Sequence, residues 1–513
     1  MKFQRERGNV SGRAFAAALL LSFGRAVTKA SSFVSLAILA RLLDPSDYGI
    51  VALAFTIISL VQAVFETGSG ALLVVKEDLS TDDLDTAFTL GLLRGCALGL
   101  TLFALAGPLG MLFGEETLTP VLRVLAISPV IYGFANPALA VYSRNLDFRR
   151  EVVRDVISAV ISAAVGIGLA LWLRNYWALV GAAVAGSGIQ MLLTHWRIGY
   201  TPRVGLEGWR RFASMGSWIA GERLLSQLNT VAPQLVIWHF LSPRALGIFA
   251  VARNLQSIPL TEMLEPFRRS LLPGLANFAH DRNALRGAFR KSQAVICGIA
   301  LPIGVGMAML ADWIVLVLLG RQWLEAVIIL QILGPIVALK TAVGPVNNLA
   351  VILDALPSAL WRTTIILIVT YPLLALTTWW LDLAGAALGI ALLAVLRIVL
   401  NGRLLRQLLG EPLLGLFHNG WRSMLAAGVM ALCLWLLPVP FSAERPFLWA
   451  AALLMLQIGF GAAVYIAAHS ALWLVKGKPL DGVEAVAGAF AAAILDRAVA
   501  LRRRRISGRM AGN

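Results

Sequence analysis

An all-α integral membrane protein is predicted, with about fourteen transmembrane helices forming two parallel-repeat six-helix lobes around a central cavity, plus an appended helix pair. Composition, an internal repeat and the placement of charge predict it. Of 513 residues 58% are hydrophobic and 14% charged, and mean hydropathy is +0.78. The apolar runs are about 20 residues long, the length of a helical span, and lack the short alternating pattern of an outer-membrane barrel strand. An inner (plasma) membrane follows.

The repeat is read first because it decides the architecture. The stretch from Gly24 to Gly49 recurs without a gap 198 residues later: Arg25 falls on Arg223, Leu43 on Leu241, Pro45 on Pro243, Gly49 on Gly247 and Ala52 on Ala250. Each copy is a long apolar helix carrying an arginine, a proline-containing turn and a second apolar helix. Gly114 to Gly320 and Pro129 to Pro335 share a further offset of 206. Six spans separate the copies, an even number, so both keep one orientation. Parallel repeats are related by an axis along the membrane normal, with the substrate site between the halves.

The spans run roughly 16–42, 48–67, 88–113, 119–142, 155–173, 177–195, 213–241, 247–267, 292–318, 325–350, 360–380, 384–401, 421–437 and 447–468. With the N-terminus inside, the cytoplasmic segments hold 31 of the 44 Lys and Arg and the outer turns only five, the asymmetry expected of a correct helix count. Both termini are then cytoplasmic. The divisions are an N-lobe over 1–195, a cytoplasmic linker over 196–212, a C-lobe over 213–406, spans 13 and 14 over 407–475, and a basic tail over 476–513 in which 482–500 form an interfacial helix or, as the alternative, a further span. The basic start ahead of AFAAALLLSF imitates a secretory signal, but its apolar run continues to Leu43, so a retained span is expected.

An arginine within a spanning helix is costly and marks a site. Ser22, Arg25, Lys29 and Ser32 share one face of span 1; Arg223, Ser226, Gln227 and Thr230 share one face of span 7. Arg25 lies roughly 27 Å from the outer end of its helix. Guanidinium groups bind phosphate bidentately, so Arg25 and Arg223, with Arg253 nearer the outer surface and Lys29 as an added point charge, are the candidate residues for a phosphate-bearing group in the cavity. Snorkelling to the interface is the alternative for Arg25. Glu66, Glu262 and Glu265 are candidate coupling or counter-ion carboxylates, with proton or sodium as the coupling ion. No other cofactor is expected.

The formal charge of +16 resides in short loops and not in a soluble basic domain, so nucleic acid is excluded as a partner. The five histidines have no ligand spacing and no metal is expected; Cys96, Cys297 and Cys433 are dispersed, and free buried thiols are expected. No GxxxxGK[ST] phosphate loop occurs, which excludes an ATPase. Short outer connections argue against a membrane-embedded glycosyltransferase or polymerase.

The segments ARLLDPSDYGIVALA, RNLDFRREVVRD (144–155), LSPRALGIFAVARNL and LADWIVLVLLGRQW (310–323) resemble polysaccharide-export flippases of the multidrug/oligosaccharidyl-lipid/polysaccharide superfamily, over roughly residues 12–410. The resemblance implies a cationic cavity between two lobes. It also implies movement of undecaprenyl-pyrophosphate-linked oligosaccharide across the bacterial inner membrane by alternating access, for exopolysaccharide or lipopolysaccharide O-antigen assembly. Membrane lipids, a polysaccharide polymerase and a chain-length regulator are the further expected partners. Gln227 stands where the second copy would repeat Lys29, so the cation set is not symmetric. A multidrug exporter of the same superfamily is the alternative, and the cationic faces of spans 1 and 7 argue against it.

Overall fold

The computed structural model describes residues 10–65, 80–144, 147–207, 216–437, 441–442 and 446–476. Among the described residues there are helices and no strands. In chain order they are α1 (Val10–Leu42), α2 (Pro45–Val64), α3 (Thr81–Leu112), α4 (Leu118–Leu125), α5 (Ile127–Gly133), α6 (Leu139–Arg144), α7 (Arg149–Leu173) and α8 (Trp177–Thr194). Then follow α9 (Gly216–Phe240), α10 (Pro243–Ala276), α11 (Arg282–Met309), α12 (Ala311–Leu318), α13 (Ala326–Ala342), α14 (Val346–Ile352), α15 (Leu356–Leu409), α16 (Leu413–Leu436) and α17 (Phe447–Val475).

Eight helices among the described residues are long and apolar enough to cross a membrane. The helices α1, α9 and α10 have comparable lengths of 33, 25 and 34 residues but are not among the eight, and they carry Arg25 and Lys29, Arg223, and Arg253 respectively. Exposed tryptophans sit at helix ends: Trp172, Trp379 and Trp380 in one compact unit, Trp435 and Trp449 in the other. Indole rings favour the membrane–water interface, where one edge is apolar and the other wet.

The contacts separate the chain into two compact units, one of residues 1–258, 314–329 and 363–390, the other of 259–313, 330–362 and 391–513. In the first, α7 packs on α8 and α1, α3 packs on α4 and α5, and α9 packs on α2. The span expected over 119–142 is broken into α4, α5 and α6. The segment 356–409 is one continuous stretch by hydrogen bonding, yet Leu381 and Asp382 have non-helical backbone angles. A Cβ at Gly385 would collide with the Thr377 carbonyl eight residues earlier, so the chain folds back on itself there as a helical hairpin. The break at Leu381–Asp382 falls between the two spans expected over 360–380 and 384–401.

In the second unit α11 packs on α16 and α17. The Tyr465 hydroxyl donates to the Gly298 carbonyl at 2.8 Å, and Asn419 donates to Gln293 at 2.9 Å. Buried Glu411, just past the left-handed Gly410, accepts from Arg286 at 3.1 Å and Arg290 at 2.7 Å, so the α15–α16 turn is tied to the start of α11. Arg362 bridges Asn347 and Asn401, which joins the start of α15 to α14 and to its own far half. All three cysteines are free, but only Cys297 is buried. Cys96 is exposed on α3, because in a membrane protein an apolar environment can be lipid as well as protein core.

Candidate functional site

The two repeat copies cross each other in the first unit. A Cβ at Gly49 would strike the Pro243 carbonyl, and a Cβ at Gly247 would strike the Pro45 carbonyl. The four residues form two pairs related by the 198-residue offset, and each glycine meets the other copy's proline. Such reciprocity is the signature of a two-fold relation, in which residue i meets j and its counterpart returns the contact. Prolines at the first helical turn fix the start of α2 and α10, and the missing side chains let the two backbones touch.

Three of the family-like segments surround this crossing. Asp44 caps α2 by accepting from Ser46 N at 3.0 Å, and Asp47 returns the bond to Asp44 N at 3.1 Å. Trp323, fully buried, donates its indole N–H to Ala40 O at 2.7 Å and meets Tyr48 edge-on at 5.3 Å. Gln322 donates to Ala40 O at 2.6 Å and Leu43 O at 3.1 Å, while Arg41 donates to Val317 O. The last carbonyls of α1, left open by the helix end, are thereby satisfied from residues 279 to 283 positions away. Arg244 pairs with Asp44 at 3.6 Å and Glu325 at 3.4 Å. These segments knit one end of the bundle together, and of the expected cavity cations only Arg253 lies within one of them.

Arg25 is half-buried on α1 and Lys29, one turn on, is exposed. Arg223 belongs to α9, with its side chain outside the described residues. Arg253 Nη1 donates to Thr230 O on α9 at 3.4 Å, two helical turns from Arg223; with the Gln234 amide turned to suit its neighbours, Arg253 also donates to Gln234 Oε1 at 2.9 Å. The structure thus brings Arg253 to the helix of Arg223, where Ser226 and Thr230 are exposed. Gln227, at the position of Lys29 in the other copy, donates to Ser59 on α2 at 2.8 Å. Glu262 and Glu265 are half-buried on α10; Glu66 lies outside the described residues, as do 208–212 of the linker and all of the tail but Lys476.

A cavity of about 990 Å³ opens among α2, α3, α4, α5, α6, α7 and α8. Its wall includes Phe55, Gln62, Arg94, Tyr132, Glu151 and Arg154. Sequence reading passed over Gln62, Tyr132, Glu151 and Arg154 because they come from different helices and no local spacing joins them.

The described part of the linker is strapped to one end of this bundle. The Tyr200 hydroxyl and the Arg203 N–H both donate to Asp85, the latter at 2.8 Å, and Gly205 N donates to Thr89 Oγ1 at 2.9 Å. Asn136 holds the turn from below through Tyr200 O at 3.0 Å and Thr194 Oγ1 at 2.9 Å. Burial, together with the bond to Asp85, pushes the Tyr200 phenol above its ordinary value, so it remains a donor throughout the neutral range.

A helical chain with two copies of one sequence repeat and arginines on its less apolar helices has clear relatives. Residues 38–328, more than half of the chain, match the polysaccharide biosynthesis protein family, and the chain belongs to that family. It is 25% identical over 59% of its length to the succinoglycan biosynthesis transport protein ExoT of Rhizobium meliloti, and 22% identical over 62% to the lipopolysaccharide biosynthesis protein WzxC of Escherichia coli. These matches span 62% and 65% of the two relatives' own lengths. It is 22% identical to the teichuronic acid biosynthesis protein TuaB of Bacillus subtilis, over 82% of this chain and 86% of that one. Among solved structures, the lipid II flippase MurJ in an inward closed conformation superposes with a TM-score of 0.70 at 15% identity, covering 89% of this chain and 99% of that one. An inward-facing multidrug resistance MATE transporter of the MOP superfamily gives 0.53 at 15% identity, covering 82% and 100%. The chain shares the fold of these two proteins.

Proposed function

We propose that the protein is a flippase that carries undecaprenyl-pyrophosphate-linked oligosaccharide repeat units from the cytoplasmic to the periplasmic leaflet of a bacterial inner membrane by alternating access. In this reading the chain has fourteen spans, two six-helix lobes over 1–195 and 213–406, and cytoplasmic termini. The observation that carries it is the bond from Arg253 to α9, which sets a guanidinium beside the exposed polar face of the helix bearing Arg223. A phosphate-bearing headgroup offers the bidentate acceptor such groups need. Arg25 and, on the less crowded copy, Lys29 supply the matching charge from α1.

The reciprocal approach of Gly49 to Pro243 and of Gly247 to Pro45 supports the two-lobe arrangement and, in this reading, is the contact that closes the outer end. Glu66, Glu262 and Glu265 are the proposed coupling or counter-ion groups for a proton or sodium gradient. A polymerase and a chain-length regulator are the proposed downstream partners.

The test is made in cells. Arg25→Ala combined with Arg223→Ala is expected to lower surface polysaccharide at least tenfold while lipid-linked repeat units accumulate on the cytoplasmic side and membrane levels of the protein stay normal. Unchanged surface polysaccharide in the double variant refutes the arginine site.

A further inference from the structure

We propose that the cavity of about 990 Å³ among α2–α8 is a binding site for an uncharged sugar unit of the translocated lipid-linked oligosaccharide, separate from the arginine faces of α1 and α9. The proposal rests on the flippase reading and adds where the glycan is held.

The charge of the wall excludes phosphate as its ligand. Arg154 directs both Nε and Nη2 at Asp155 Oδ1, at 2.9 and 2.7 Å, so its fork is already occupied by a carboxylate. Glu151 in the same wall offsets Arg94. The wall holds two arginines against one glutamate, and with Asp155 behind Arg154 counted the charges balance, so an anion would enter a polar site with no net cation to receive it.

The remaining lining has the two features that a sugar ring requires. A pyranose presents hydroxyls that both donate and accept, and apolar C–H faces between them. Phe55 and Tyr132 both line the cavity and are 45% and 48% exposed, which places two aromatic side chains on its wall. Gln62, also exposed on the wall, offers both an amide donor and a carbonyl acceptor. A mostly apolar wall with a few placed polar groups is the usual build of a small-molecule site, and the volume lies at the upper end of the range of about 300–1,000 Å³ for such sites.

The test uses the full-length protein in lipid nanodiscs, with binding of undecaprenyl pyrophosphate compared with undecaprenyl-pyrophosphoryl-glucose and -galactose by native mass spectrometry. Wild type is expected to bind at least one sugar-bearing lipid tenfold more tightly than the bare lipid. Gln62→Ala and Tyr132→Ala each remove that increment and leave bare-lipid affinity unchanged, while Tyr132→Phe retains it. Absence of a sugar increment in wild type, its survival in both alanine variants, or equal loss of all three lipids in those variants overturns the sugar site and leaves the pyrophosphate reading standing. Failure of wild type to bind any of the three lipids overturns both.

Discussion

Gly49→Leu is expected to abolish polysaccharide export while the protein still inserts, and Gly247→Leu is expected to do the same. The space a side chain would need at either position is filled by the backbone of the opposite copy, Pro243 or Pro45. A flexible side chain could swing aside; a carbonyl at the first turn of a proline-started helix cannot without moving the helix. Overpacking of this kind costs about 1–3 kcal/mol. Since 1.4 kcal/mol is a factor of ten, the ratio of closed to open outer ends would fall roughly 5- to 140-fold. A cysteine placed at Ser242, probed from outside the cell with a membrane-impermeant maleimide, is expected to label faster in the Gly49→Leu background. Equal labelling together with normal export would show that the crossing does not govern access.

Trp323→Ala is expected to lower the thermal midpoint in detergent by more than any other single truncation at this end of the bundle. Its side chain heads the largest fully buried ones, its N–H serves Ala40 O, and its ring meets Tyr48. Truncating a buried tryptophan costs about 3–5 kcal/mol, through lost burial and the cavity left behind. Trp323→Phe keeps the ring contact and loses the hydrogen bond, and is expected to fall between. The melting curves of the two variants check this directly; a Trp323→Ala midpoint within a degree of wild type would contradict the packing described.

These two predictions also mark where sequence reading reached and where it stopped. The 198-residue offset pairing Pro45 with Pro243 and Gly49 with Gly247 is visible in the chain, because a repeat is a comparison of the sequence with itself. That the paired residues touch each other is not visible, since spacing along a chain carries no information about which helices cross. The segment ending at Trp323 is recognisable as a motif, but its purpose depends on Ala40, 283 residues earlier. The hairpin at Leu381–Asp382 was legible as two spans, since apolar length alone requires a break. The broken helix α4–α5 was not, because its apolar run is continuous.

The arginine positions show the same division. Arg25, Arg223 and Arg253 stand out in sequence because a cation in an apolar helix is unusual wherever it points. Gln62 and Tyr132 are ordinary residues that become a site only when several helices enclose one volume. Cys96 shows a further limit: an apolar neighbourhood in sequence does not separate a protein core from a lipid-facing surface.

The most direct test of the central claim is a flipping assay in proteoliposomes, with a fluorescent undecaprenyl-pyrophosphoryl disaccharide placed in both leaflets and dithionite quenching from one side. Wild type is expected to make nearly all of the probe accessible, and Arg25→Ala/Arg253→Ala to slow that step at least tenfold. Arg123→Ala, whose guanidinium sits over Phe103 at 5.4 Å, is expected to keep the wild-type rate. A double variant that flips the probe as fast as wild type would contradict the account.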